Sequence, residues 1–267
     1  MENNKILFIA LITICILLAI AASIGFFIKD FYILDSNILA SATRGVDLFF
    51  LVIILPVLLI CLFLLYKGSQ KAFIIILGIL GIIIYNYTFM SFNIQFNRLF
   101  IIYVALLGLS SFTLLKYTIR LDLDSFKNQF SKKIPIKTIG IFQIIIGILF
   151  YLIWGKAIIS ANINNNLTDI IKEWHVPTSA IYVIDMAFLL PLIIWSGLLI
   201  IKRKSLGFLL SGINLIIILS MSLGLIFSFL MNYFDGYSIK IIPFCIFILC
   251  CCISLFLLVL FLREIKN

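Results

Sequence analysis

The sequence predicts an all-α fold, a polytopic transmembrane helical bundle of about eight spans. Composition is the first observation behind this. The 267 residues are 64% hydrophobic and only 12% charged, whereas a soluble chain is roughly 45–50% apolar and about 25% charged because its surface must stay hydrated. Mean hydropathy is correspondingly high, at +1.27. The second observation is pattern. Apolar residues run unbroken for about 20 positions at a time, the length that carries a helix through roughly 30 Å of hydrocarbon. The runs do not alternate and are far longer than the strands of a membrane barrel, which excludes that architecture.

Spans are predicted at 6–28, 46–66, 72–92, 99–117, 138–158, 180–201, 206–230 and 241–262. The first, Ile6 to Ile28, is too long for a signal-peptide core, and no small-residue cleavage site follows an early break, so it is read as a retained helix. Neither end carries a lipidation motif. The second span opens on Asp47, contains Pro56 and closes at Lys67; the sixth repeats this with Asp185, Pro191 and Lys202. Both prolines are expected to kink their helices. Ser220, Gly224 and Ser228 in the seventh span, and Gly140 and Gly147 in the fifth, are small residues at helical spacing, expected to let neighbouring helices approach. Six cysteines lie inside apolar stretches without metal-ligand spacing and read as small apolar filler. Ile supplies about one residue in five, which points to an AT-rich bacterial genome.

The loops fix a predicted orientation. Fourteen of the 20 Lys and Arg fall on one side: at Lys5, around Lys67 and Lys71, from Lys116 to Lys137, at Lys202 to Lys204, and at Arg263 and Lys266. The other side holds Lys29, Arg44, Arg98, Lys156, Lys172 and Lys240, offset by Asp30, Asp35, Asp47, Asp169, Glu173, Asp185 and Asp235. Cytoplasmic loops accumulate Lys and Arg, so the basic side is predicted to face the cytoplasm of a bacterial cell membrane, with both termini inside. The net charge of +9 is thereby explained by topology, and nucleic acid is not an expected partner; the bilayer is.

The sequence divides into a first four-helix half (1–118), a basic linker (119–137) and a second four-helix half (138–267). Pro56 to Lys67 and Pro191 to Lys202 share a spacing of 11 residues and an offset of 135, and Phe73 and Phe208 keep that register. The aspartates fit less well, preceding their prolines by nine and six residues. Four spans per half predicts a parallel repeat. In the linker, Leu123, Phe126, Phe130 and Ile134 recur at helical steps among lysines. This reads either as a short helix on the inner leaflet or as a charged connection obeying the orientation rule.

No catalytic signature is present. His175 is the only histidine, no acid is spaced to build a metal site with it, and no nucleophile-elbow, Walker or dinucleotide motif occurs. No catalytic residue, metal or cofactor is expected. Ionisable and polar groups at membrane depth are costly and mark candidate sites. Asp47 opens its span with Arg44 one helical turn earlier, which reads as an ion pair capping the helix start or as part of a site. Asp185 lies about five residues into its span, with Arg44, Arg98, Asn86 and Asn93 as candidate partners. Asn86, Asn93 and Asn97 fall at steps of seven and four residues, one polar stripe if the third helix continues, an ordinary turn if it ends near Phe92. Arg44, Asp47, Asn86, Asn93, Arg98 and Asp185 together form the predicted outward-facing polar site.

The stretches Arg44-Gly45-Val46-Asp47-Leu48, Leu55-Pro56, Lys67-Gly68-Ser69, Phe96-Asn97 and Tyr182 through Pro191 resemble a group of bacterial multi-pass membrane proteins whose activity is not established. The resemblance implies a helical membrane bundle and no activity. Two functional readings follow from the residues. One is binding or passage of a small solute, with Asp47 and Asp185 as coupling carboxylates. The other is a non-transporting component: a sensor, an immunity-type protein or a subunit working with other membrane subunits.

Overall fold

The computed structural model describes residues 2–131 and 133–265. Among them are ten helices and no strand beyond an isolated bridge between Phe130 and Ile265. Eight helices are long and apolar enough to cross a membrane. These are α1 (Glu2–Phe27), α2 (Asn37–Tyr66), α3 (Gln70–Phe92), α4 (Phe100–Ile119), α6 (Ile136–Ile163), α8 (Ala180–Ile201), α9 (Ser205–Phe234) and α10 (Ile241–Arg263). Two short helices lie between them, α5 (Leu123–Asn128) and α7 (Asp169–Trp174). The chain is a multi-pass membrane protein with a basic face and an acidic face.

Helix ends follow local chemistry. The Ser36 hydroxyl accepts from the Leu39 N–H at 3.4 Å, and Ser69 does the same for Ala72 at 3.3 Å, satisfying donors that have no intrahelical partner. Ser36 therefore starts α2 at Asn37, well before the expected position 46. The added turns, with Asn37, Ser41, Thr43 and Arg44, are too polar to register as a span. They form a helix because one face, including Leu39, Thr43 and Phe49, is buried against the rest of the bundle. Asp47 is thus three turns inside its helix and does not cap it. At the other end of α2, Gly68 takes φ 86°, and Arg203 takes φ 54° at the matching place after α8.

Both proline-containing spans break their α-helical register. Residues Phe50–Ile54 of α2 and Asp185–Leu189 of α8 form single π turns, each directly before a Leu-Pro pair. Proline has no N–H and its ring crowds the preceding turn, and a π turn accommodates the mismatch. The Leu190 N–H bonds to the Asp185 carbonyl, and Pro191 cannot donate, so the Met186 carbonyl loses its helical donor. The Tyr151 hydroxyl of α6 supplies one.

α3 and α9 are the central helices, with 56% of their most apolar 18 residues buried against 22–39% for the other spans. α9 packs on α2, α3, α8 and α10, while α1 closes against α2 and α4, and α6 lies along α8. Gly140 of α6 and Gly197 of α8 meet reciprocally: a Cβ at either would sit 2.6 Å from the other's carbonyl oxygen. Here the small-residue expectation for the fifth span holds.

The linker does not lie on the bilayer with its apolar residues in lipid. Phe126, Phe130 and Ile134 are buried in the basic end of the bundle, and the Phe130 ring sits 4.9 Å from Phe261 and 5.1 Å from Phe208. Asp122 starts α5 by accepting the Asp124 and Ser125 N–H groups. Hydrogen bonds from Ser125 hold its carboxyl below the ordinary carboxylate range. Lys132, one of the linker's basic residues, lies outside the described residues.

Candidate functional site

A cavity of about 620 Å³ opens between α2, α3, α6, α8, α9 and α10, in the half of the bundle nearer the acidic face. Its existence follows from side-chain size. Ser220, Gly224 and Ser228 repeat every fourth residue along α9 and all line the hollow, so one face of the central helix offers no bulk to fill it. The stripe also lets α2 approach, as expected: a Cβ at Gly45 would sit 2.7 Å from Ser228 Cα, and one at Gly224 would sit 3.3 Å from the Phe49 ring. The facing walls are aromatic and aliphatic, with Phe49 and Phe50 at the start of the first π turn on one side and Asp185 and Leu189 of the second on the other.

α7 covers the mouth, contributing Asp169, Ile170, Glu173 and Trp174 to the lining. Trp174 packs edge-on against Phe89 with ring centroids 5.8 Å apart. Glu173 pairs with Lys240 at 2.5 Å, an exposed contact that ties the lid to the start of α10. Pairs of this kind contribute about 0–1 kcal/mol, so the tie is weak enough to open.

Asp185 is the ionisable group inside the cavity, away from the mouth. Only 4% of it is exposed. The Trp154 indole N–H donates to Oδ2 at 2.9 Å, and Tyr85 lies beside the carboxylate. Oδ1 is buried with no hydrogen-bond partner among the described residues. Trp154 is itself fixed edge-on to Tyr182 at 5.2 Å. The carboxylate does face the bundle interior, but its partner is Trp154 rather than an arginine or asparagine.

The other predicted residues are distributed differently. Asn86 lines the same cavity. Asp47 occupies a separate closed pocket, where the Tyr32 hydroxyl donates to its Oδ2 at 2.7 Å. Gly25 makes that pocket possible, because a Cβ there would lie 2.1 Å from the same oxygen. Arg44 turns away from Asp47 and pairs with Asp235 at 3.4 Å, with its guanidinium 6.0 Å over the Phe26 ring. Asn93 follows the last residue of α3, and its Oδ1 accepts the Ala180 N–H at 3.1 Å, joining the ends of α3 and α8. Arg98 is exposed on the turn before α4. In the neighbouring loop Asp35 accepts the Gln95 N–H at 3.0 Å, and burial pushes its carboxyl above the ordinary range.

Removing the single donor to a buried carboxylate leaves it unsatisfied. Tyr32→Phe is therefore expected to cost about 1–3 kcal/mol of stability, read as a lowered unfolding midpoint in detergent. An unchanged midpoint would show that Asp47 draws no support from Tyr32.

Beneath the cavity, outside its lining, lies a floor of buried polar side chains. Toward the basic face the Gln143 Oε1 accepts from Ser196 at 2.8 Å and Ser211 at 3.1 Å, and its Nε2 donates to the Ser211 carbonyl at 3.1 Å. Asn214 donates to Ser196 at 2.8 Å. All four residues have no exposed surface. The sequence signal for them was available, since a polar residue inside an apolar span needs a partner from a neighbouring helix. Trp154 carried no such signal, because an aromatic near a span end reads as interfacial belt. Among the described residues no three His, Cys, Asp or Glu side chains gather as a metal site, and the cysteines are free. Compared with protein families, curated proteins and solved structures, the chain matches none.

Proposed function

We propose that this membrane protein binds a small, largely apolar solute entering from the acidic face, with Asp185 as its polar anchor. The observation that carries the reading is the cavity itself, a lidded hollow of about 620 Å³, within the roughly 300–1,000 Å³ of small-molecule sites. It lies between two π turns, one near the middle of α2 and one in the first half of α8, and broken helices at membrane depth commonly flank binding sites. Each π turn plus proline lacks part of its hydrogen-bond ladder, which makes it the place where a helix bends at least cost. The matched π turns and the matched positive φ at Gly68 and Arg203 support a parallel duplication of residues 1–118 and 138–267. In this reading the two hinges are related and stand on opposite walls.

Thiol reactivity tests the reading, because only a hydrated thiol ionises and reacts. With the six native cysteines replaced by alanine, Ser220→Cys and Ser228→Cys are expected to react with N-ethylmaleimide in nanodiscs far faster than the exposed, lipid-facing Ile145→Cys. A bulky Ser220→Trp should suppress reaction of Ser228→Cys. Cavity positions as inert as Ile145 would overturn the proposal.

The acidic face is the outer one in this reading. Reporter fusions after Lys67, Lys127, Lys204 and Asn267 should report cytoplasm, and fusions near Asp35, Asn97, Asn165 and Asp235 the exterior. A cytoplasmic signal at Asn165 would remove the orientation. The closed floor favours a second reading, a receptor or complex subunit that binds the solute without passing it. Solute-dependent flux into liposomes separates the two.

A further inference from the structure

We infer that the solute is an amphiphilic organic cation, with its charged nitrogen against Asp185 and its apolar body among the aromatic walls. The inference rests on the solute-binding reading and names the class of solute.

Three observations converge. The first is the sign of the lining. Its ionisable groups of fixed sign are Asp169, Glu173 and Asp185 against Lys240 alone, and Lys240 is already paired with Glu173. An anion would meet uncompensated carboxylates, whereas a cation supplies the missing charge. The second is hydrogen-bonding polarity. Two buried side-chain atoms of lining residues lack a partner among the described residues, Asp185 Oδ1 and Asn232 Oδ1. Both only accept here, so the complementary group is a donor, which an alkylammonium provides and a carboxylate or carbonyl does not. Leaving an ionised oxygen buried and unpaired is costly, and a bound ammonium relieves that cost.

The third is the ring content. Eleven of the lining residues are Phe, Tyr or Trp, and ring faces attract cations, most strongly in a desolvated site. Trp154 and Tyr85 stand at the carboxylate itself. Phe150, Phe229 and Phe247 form the apolar part of the wall, where the Phe150 and Phe247 rings stack at 5.9 Å across α6 and α10. The polar end and the apolar body of the hollow therefore lie side by side, which matches a molecule with one cationic end.

Three probes of equal skeleton and different charge test this: phenylbutylamine, phenylbutanol and phenylbutyrate. Each is titrated for its ability to slow N-ethylmaleimide modification of Ser228→Cys in the cysteine-replaced full chain in nanodiscs. The amine is expected to protect at a concentration at least about tenfold below the alcohol, and the butyrate not at all. Asp185→Asn should erase the amine's advantage and leave protection by the alcohol unchanged, while Asp185→Glu should keep it. Each variant is first required to run as a single species in gel filtration and to react at the parent rate without probe. Equal protection by all three, protection by none, or an advantage that survives Asp185→Asn overturns the cation assignment while the hydrated cavity stands. Inert thiols at both Ser220→Cys and Ser228→Cys would instead remove the solute-binding reading beneath it.

Discussion

Gly140→Leu and Gly197→Leu are each expected to prevent α6 from seating on α8, with little folded protein recovered. The space a side chain would need is taken by the partner's carbonyl oxygen at 2.6 Å. A carbonyl held in a helix cannot rotate out of the way as a flexible side chain would. Inserting even one methyl into a packed interior costs about 1–3 kcal/mol, and leucine adds three more carbons at the same point. In lipid the loss is felt fully, because close packing rather than exclusion of water holds spans together. Gly108 and Gly155 have open space at their Cβ positions, so leucine at either is the matched control. Recovery of Gly140→Leu at the level of Gly155→Leu would mean that the two helices do not approach as closely as described.

Gln143→Leu is expected to cost about 2 kcal/mol, three interhelical hydrogen bonds at about 0.6 kcal/mol each. Leucine keeps the apolar volume but leaves Ser211 without its side-chain acceptor, while Ser196 keeps its bond to the Ile193 carbonyl and the donation from Asn214. The check is the unfolding midpoint in detergent. The double variant Gln143→Leu with Ser211→Ala should recover part of the loss, because removing both partners of a buried bond is less costly than orphaning one. A single-variant midpoint equal to the parent's would show that the floor is held by packing alone.

The fold was legible because hydropathy at span length is a strong signal, and it found eight helices. It failed where a helix carries polar residues on a buried face. Asn37 to Gly45 reads as loop by composition and is helix because Ser36 caps it and the bundle covers it. The break points were half legible. Pro56 and Pro191 announced kinks, but nothing in the sequence distinguishes a kink from a π turn, which depends on how neighbouring helices load the strained segment. The candidate site was legible in Asp185 and Asn86, whose cost at depth drew attention. It was not legible in Trp154, Trp174 or the cavity, since residues far apart in the chain create a hollow only once packed. Arg44 and Asp47 show the limit of helical spacing as a guide. They are one turn apart, yet each finds a better partner elsewhere, Asp235 just past α9 and Tyr32 in the turn after α1.

The linker's aromatic plug sets an order of events during synthesis. Phe130 rests on Phe208 and Phe261, and the Ser131 N–H bonds to the Glu264 carbonyl at 2.9 Å. Those partners are made 78 or more residues later in the chain. Until α9 and α10 have left the ribosome and inserted, Phe126, Phe130 and Ile134 have nothing to pack against. Until then this apolar, basic segment waits without its packing partners at the basic end of the helices already made. It latches only once α10 arrives, so docking of the linker requires the helices on both sides of it to have been made.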